Sequence, residues 1–572
     1  MRLTAPLTLV LLVAALTGCL TTSSQVRVGR VLPVEGGAVV SVDPLASRIG
    51  GEVLARGGSA VDAAVATALA LAVTWPEAGN LGGGGFMLVR QSEGSAVFID
   101  YREKAPLLAR PDMFLNEAGV VDPVKERLGY LPVGVPGTVA GLFRAHQEFG
   151  RLPWRELVLP AVELAEGGFE IGPALEKSLA SAAKELARCE EARAIFFDEQ
   201  GQPLAKGALL VQADLGRSLR LIAEQGRDAF YAGPIAEMVV SDSGERGGLL
   251  SREDFARYEA VMREPLRGSY RGFEILAGPP PTSGGTVLLE SLNQLEQFDL
   301  ASLPAGSAAE LHLLAEAQRR SFLDRARFLG DPDFVRNPLD RLLDKSYGRL
   351  LGSGIDLTRA TPSDTLALDL DGTLPPPESE QTTHFSVIDA DGNAVSNTYT
   401  LEESWGARTV ARGTGILLNN QMHDFNVDPG RSTRKGRIGT VPNTIRPEKR
   451  MLSSMCPVIL TRQGRPYLVA GSPGGRSIPS TVLRVVTGMV DHALSPAHAV
   501  ELSRVHHGLY PDLLLIEQSS GAEVMSRLAE LGHTLKKTER QGDCHAIGWD
   551  PETGGLQAAA DDRLNGGATT TR

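Results

Sequence analysis

The sequence predicts an α+β protein. Three observations carry that expectation. Helical and strand-like periodicities interleave without a strict βαβ beat, no internal repeat is present, and the composition is that of an ordinary soluble globular chain, 42% apolar and 22% charged. At 572 residues the chain exceeds one small domain, yet a large layered fold can hold it as one unit. Aromatics at 5% and 63 glycines point to tight turns and a core of Ala, Leu and Val. The formal charge of −12 argues against nucleic acid as a main partner, because phosphates require a basic face. Cys19, Cys189, Cys456 and Cys544 are too scattered for a disulfide framework or a CxxC metal site, and neither metal nor cofactor is expected.

The chain starts with an address. Arg2 precedes an apolar run, Pro6–Leu16, that is too short to span a bilayer. It ends in Leu16-Thr17-Gly18-Cys19, which looks like a bacterial lipobox. Residues 1–18 read as a lipoprotein signal peptide, with Cys19 acylated and anchoring a periplasmic body to a membrane. Leu20 rather than Asp follows the cysteine, which favours the outer membrane over the inner.

Val61–Val73 is the longest remaining apolar stretch; Ser59-x-x-Asp62 at its start resembles a capping box, and its alanines predict a closely packed buried helix. Further amphipathic helices are expected near Trp154–Glu166, Asp214–Gln225, Ala308–Phe328 and Ser480–His492. Strands are expected at Ala38–Val42, Gly85–Val89, Phe273–Ala277, His384–Asp389, Ala394–Thr400 and Tyr467–Ala470. Gly82–Gly85 precedes a strand and lacks a following Lys-Ser/Thr, so it reads as a point of backbone crowding rather than a phosphate cradle. Thr358–Gln381, acidic and carrying Pro375–Pro377, is linker-like and ends directly before Thr382-Thr383. After the strand Tyr467–Ala470, Gly474-Gly475 lies in a strand-to-helix turn whose N–H groups suit an oxyanion, although a plain tight turn is the commoner use.

Asp391-Gly392 between two β-rich runs is a hairpin signal. Taken as a two-residue turn, it pairs Thr383 with Thr400 and Thr382 with Leu401, leaving Thr400 and Glu402 beside Thr382 at the open end. A cut before Thr382 would free an α-amine beside its own hydroxyl. An N-terminal Thr can serve as a nucleophile with that amine as base, which an amine of ordinary pKa near 7.7–8.0 suits. From the residues alone, Thr-Thr at a strand start is more often simple β-propensity.

The ordered set of segments adds what spacing cannot. Gly82-Gly-Gly-Gly-Phe-Met-Leu-Val89, Asp100-Tyr-Arg-Glu-Lys-Ala-Pro106, Pro280-Pro-Thr-Ser-Gly-Gly285, Asp324-Arg-Ala-Arg-Phe-Leu-Gly-Asp-Pro332, Gly415-Ile-Leu-Leu-Asn-Asn-Gln-Met422, Leu452-Ser-Ser-Met455 and Gly471-Ser-Pro-Gly-Gly475 resemble the γ-glutamyltransferase family over nearly the whole mature chain. The resemblance implies the four-layer αββα sandwich of N-terminal-nucleophile hydrolases. It implies self-cleavage between Gln381 and Thr382, giving a large subunit (19–381) and a small subunit (382–572). It implies hydrolysis or transfer of γ-glutamyl groups from glutathione and similar amides, by way of an ester on Thr382, to water or to acceptor amino acids and peptides.

In that scheme Thr400 assists Thr382, Gly474 and Gly475 form the oxyanion hole, and Arg102, Ser453 and Ser454 hold the α-carboxylate. Gln421 and Asp424 receive the α-amino group. Glu402, where many relatives have Asn, adds a second carboxylate for that ammonium, and Lys435 stands where some bacterial members have a lid tyrosine. The alternatives are a cephalosporin or glutaryl acylase of the same fold and a non-catalytic, lipid-anchored solute-binding protein. His506-His507 with Asp512, and Cys544-His545, are expected to be structural, and His384 to point away from the site or only to its edge.

Overall fold

The computed structural model describes residues 26–367, 382–428, 430 and 440–572. Cys19 and the signal segment, Gln381, Lys435 and most of the linker lie outside the described residues. Two antiparallel sheets stack face to face. The first runs Arg27–Gly29, Gly567–Thr570, Ala38–Ser41, Thr383–Ile388, Ala394–Thr400, Gly84–Arg90, Ala96–Tyr101, Val261–Arg263. The second runs Val31–Val34, Gly555–Ala560, His545–Asp550, Arg465–Gly471, Val458–Arg462, Phe273–Ala277, Leu266–Tyr270.

Strand alternation explains the layering. Val39, Met87, Ile99, Phe385, Val387 and Val395 pack against the helices Pro44–Ala55, Ala60–Thr74 and Thr138–Phe149 on the outside of the first sheet. Val40, Phe86, Leu88 and Ile388 face inward onto Ile459, Val469 and Ala546 of the second sheet. Beyond it, Gly284–Leu295 and Ile478–Val490 bring Leu288, Leu292, Val482 and Val486 into the same cluster, with Ala308–Phe328 behind them. The order is helix, sheet, sheet, helix, the expected sandwich. Among the described residues no helix is long and apolar enough to cross a membrane.

The expected elements form within a few residues of the bounds read from the sequence. Phe273–Ala277, Ala394–Thr400 and Ala308–Phe328 match them end for end. All fifteen residues of Ala60–Thr74 are buried, and Ser59 and Asp62 form the reciprocal capping box, with N–H donations of 3.1 and 2.9 Å. The glycine run is a crowding point, as expected. A Cβ at Gly82, Gly83, Gly84 or Gly85 would lie within 2.5 Å of Leu417 O, Thr400 O, Tyr101 O or Tyr399 Cβ respectively. Gly83 therefore lets the strand bearing Thr400 seat against the chain.

The hairpin register differs from expectation by one residue. Thr383 pairs with Tyr399 rather than Thr400, so Thr382 comes opposite Thr400 rather than Leu401. The cause lies in the loop. Asp389 N–H donates to Asn393 O at 3.0 Å, and Gly392 takes a left-handed φ of +86°, so the turn spans Ala390–Gly392 instead of Asp391-Gly392 alone. The Asp389 carboxylate braces this wider loop, accepting from Asn393 N–H and from Ala60 N–H at the start of the buried helix, each at 3.0 Å. A one-residue shift exchanges the faces of a strand, and here it places Thr382 and Thr400 on the same one.

Candidate active site

Thr382, Thr400, His384, Thr398, Ser386 and Ser396 are even-numbered residues of one hairpin and share the face turned to the second sheet. Ser386 Oγ donates to His545 O at 2.9 Å and Ser396 Oγ to Ala470 O at 2.9 Å, so these hydroxyls fasten the two sheets together. At the open end the Thr382 hydroxyl lies 3.5 Å from that of Thr400. Thr400 Oγ1 also accepts from Glu402 N–H at 2.9 Å. Glu402 has a φ of +82°, a left-handed strain for a residue with a Cβ, and it opens a tight loop in which Trp405 and Arg408 also have positive φ.

His384 departs from expectation. Residues two apart on a strand share a face, so alternation brings it to the same side as Thr382, not away. Its ring is fully buried, bonded to Thr398 Oγ1 at 2.8 Å and Ser386 Oγ at 3.1 Å. Gly471 offers it the room, since a Cβ there would meet the ring at 2.4 Å. Burial, with His545 nearby, holds its pKa well below the ordinary histidine value, so the ring is neutral.

A recess lined by Arg102, Thr382, Thr400, Glu402, Gln421, Asp424, Ser453, Ser454, Met455, Gly475 and Ile478 opens over the hydroxyl pair. Of the residues singled out from the sequence, this gathers all that are described except Gly474. Gly474 sits just behind, with φ +135°, its carbonyl accepting from Ser477 N–H at 3.0 Å. The recess has a volume of about 30 Å³.

Charge is arranged along it. Arg102, fully buried after the strand Ala96–Tyr101, donates through Nη2 to Asp424 and through Nε to Met451 O at 3.3 Å. Gln421 Nε2 donates to the same Asp424 oxygen at 2.6 Å. Glu103, next in sequence, brings its carboxylate to 3.7 Å from Arg102 Nη1. Burial pushes the Glu103 carboxyl up to about 8 against the pull of Arg102. Glu103, Met455 and Ile478 were not singled out from the sequence. Glu103 lies within a segment that carried the resemblance; Met455 and Ile478 only close a wall.

The remaining tempting groups have structural partners. His507 pairs with Asp512 at 3.2 Å, and Asp512 is also held by Arg319. His506 bonds Ser480 Oγ at 2.8 Å. Burial pushes the Cys544 thiol up to about 12, far from a nucleophile's range. His312, Glu316 and His533 lie close together, but His312 is bonded to His533 and to Asp356 O, both at 2.8 Å, and Glu316 is clamped by Arg319 and Arg320.

The family model for γ-glutamyltranspeptidase matches residues 46–571. The chain belongs to that family. It is 44% identical to the glutathione hydrolase proenzyme of Escherichia coli over 92% of this chain and 90% of the relative. The γ-glutamyltranspeptidase of Helicobacter pylori, 41% identical, superposes over 56% of this chain and 92% of its own with a TM-score of 0.55. The family fold extends to an acylase: a cephalosporin acylase from Bacillus halodurans, 25% identical, covers 94% of this chain and 96% of its own with a TM-score of 0.82. As a member of the γ-glutamyltranspeptidase family the chain is an enzyme with the N-terminal-nucleophile hydrolase sandwich.

Proposed function

We propose that this enzyme is an autoprocessed glutathione hydrolase and γ-glutamyltransferase. The observation that carries the reading is the gathering, in one recess, of the Thr382–Thr400 hydroxyl pair with Arg102, its ion-pair partner Asp424, and Glu402. A γ-glutamyl group offers an α-carboxylate and an α-ammonium on the same carbon, which this arrangement complements. A glutaryl group lacks the ammonium, so Asp424 would keep only Arg102 as its cation and Glu402 would gain none from the substrate.

Maturation starts with Thr382 Oγ adding to the Gln381 carbonyl carbon. The Gln381–Thr382 amide bond breaks, the acyl group passes to oxygen as an ester, and the α-amine of Thr382 is freed. Water hydrolyses the ester and leaves residues 19–381 and 382–572 as the two subunits. In turnover that amine takes the Thr382 hydroxyl proton while Oγ attacks the γ-carbonyl. Thr400, whose hydroxyl is hydrogen-bonded to that of Thr382, orients it, and the N–H groups of Gly474 and Gly475 take the developing oxyanion. The leaving amine departs with a proton, and water or the amine of an acceptor peptide releases the γ-glutamyl ester. Arg102, Ser453 and Ser454 hold the carboxylate, and Asp424, Gln421 and Glu402 the ammonium.

The lipobox at Cys19 supports a lipid-anchored enzyme of the bacterial envelope, outer membrane rather than inner. Intact-mass analysis of purified protein is expected to give two fragments divided before Thr382. γ-Glutamyl anilide is expected to be cleaved far faster than glutaryl anilide. Equal rates on the two would favour the acylase reading, and an uncut, active chain would reject the mechanism. Cys19→Ser is expected to abolish lipid labelling; unlipidated wild type in the soluble periplasm would reject the anchor.

A further inference from the structure

The two serines of the carboxylate wall are held from behind by one arginine. Arg325 lies near the end of the helix Ala308–Phe328 and does not itself line the recess. Its Nη2 donates to Ser454 Oγ at 3.1 Å and its Nε to Ser283 Oγ at 2.8 Å. Ser283 in turn binds the backbone carbonyl of Ser453 twice, through its hydroxyl at 2.6 Å and its N–H at 2.8 Å. One planar fork thus fixes both residues of the pair, 129 positions away in sequence.

The direction of these bonds decides what the serines can do. A guanidinium has only donors, so Ser454 Oγ must accept from Arg325, and its own proton is turned away from the arginine, toward the recess that Ser454 lines. The same holds for Ser453. Its Oγ accepts from Met455 N–H, also a donor only, at 3.1 Å, which leaves the Ser453 proton to give. Both hydroxyls therefore keep their proton to donate before any substrate arrives, as recognition of a carboxylate requires. The Phe322 ring beneath the Arg325 guanidinium, 5.9 Å from it, keeps the fork in place.

Resting on the reading of the recess as a γ-glutamyl site, we propose that Arg325 is the positioning residue for carboxylate recognition. It polarises Ser454 directly and fixes Ser453 through Ser283, and so sets the enzyme's preference for substrates bearing an α-carboxylate. It acts on binding rather than on the chemical step, because it bonds the serines of the carboxylate side and does not itself line the recess where Thr382 sits.

The test compares γ-glutamyl-4-nitroanilide with 4-aminobutyryl-4-nitroanilide, which keeps the ammonium and lacks the carboxylate. For Arg325→Ala, KM for the γ-glutamyl substrate is expected to rise about tenfold, with kcat within about threefold of wild type, since a hydrogen bond serving a charged group is being lost. Activity on the aminobutyryl substrate is expected to be unchanged. Arg325→Lys, which keeps the charge but cannot bridge Ser454 and Ser283 together, should fall between, and Ser283→Ala should raise the same KM by about threefold. Should Arg325→Ala fail to mature, the lysine and Ser283 variants carry the comparison. Equal losses on both substrates, or an unchanged KM for the γ-glutamyl one in mature variants, would overturn the proposal. If wild type itself does not distinguish the two anilides, the reading of the recess falls first, and that outcome is separate from a wild type that discriminates and an Arg325 variant that still does.

Discussion

The end of the recess proposed to hold the nucleophile and the end proposed to hold the substrate are built on different scales of the chain. Thr382, Thr400 and Glu402 belong to one hairpin, and their mutual placement follows from a single local register. Arg102, Gln421, Asp424, Ser453, Ser454 and Arg325 come from four separate segments, brought together only when both sheets and a helix have packed. The local end can be correct or wrong as a unit, whereas the distributed end can lose one partner and keep the rest. Chemistry should therefore fail abruptly on substitution and specificity gradually.

The sharpest way to test that difference is at the local end. Thr382→Ala is expected to remain one chain on a denaturing gel and to lose activity by about 10⁴-fold or more, the scale seen when a covalent nucleophile is removed. A cut and active variant would place the nucleophile elsewhere. At the junction of the two ends, Glu402→Gln is expected to raise KM for γ-glutamyl anilide by about fivefold with little change in kcat. It should also narrow the gap to glutaryl anilide, because a full charge is replaced by a neutral amide beside the ammonium. A fall in kcat alone would confine Glu402 to the local end.

The smallest expected effect belongs wholly to the distributed end. Glu103, with its carboxyl pushed up to about 8, is neutral below that pH and ionised above it. Once ionised it draws on Arg102, which the substrate carboxylate also needs, so KM should rise above pH 8 by about two- to threefold while kcat follows its own profile. Glu103→Gln should flatten that rise. A rise that persists in the variant would assign it to another group.

The same division of scale governs what the sequence revealed. The elements were legible because their periodicity and caps are local: the Ser59–Asp62 box, the Gly82–Gly85 crowding and the strand Ala394–Thr400 all appear where they were read. The register was misread by one residue, because the Asp389 side chain, tied across to Ala60, widens the turn, and that contact is long-range. His384 was misplaced for a simpler reason, since two residues along a strand return to the same face. Arg102, Gln421, Asp424, Ser453 and Ser454 were found only through family resemblance. Arg325 lay inside one of those segments, yet its tie to Ser454 exists only in the packed molecule.

The strand order of the first sheet has a bearing on what happens after a cut before Thr382. Gly567–Thr570 sits between Arg27–Gly29 and Ala38–Ser41, and the Thr383–Thr400 hairpin sits between Ala38–Ser41 and Gly84–Arg90. Each fragment would then supply strands whose hydrogen-bonding neighbours belong to the other, like the teeth of a zip. An ordinary heterodimer separates on dilution by mass action; here separation also costs the strand pairing between the two pieces. Neither piece holds the first sheet whole, so parting them breaks its strand pairing on both sides of the hairpin.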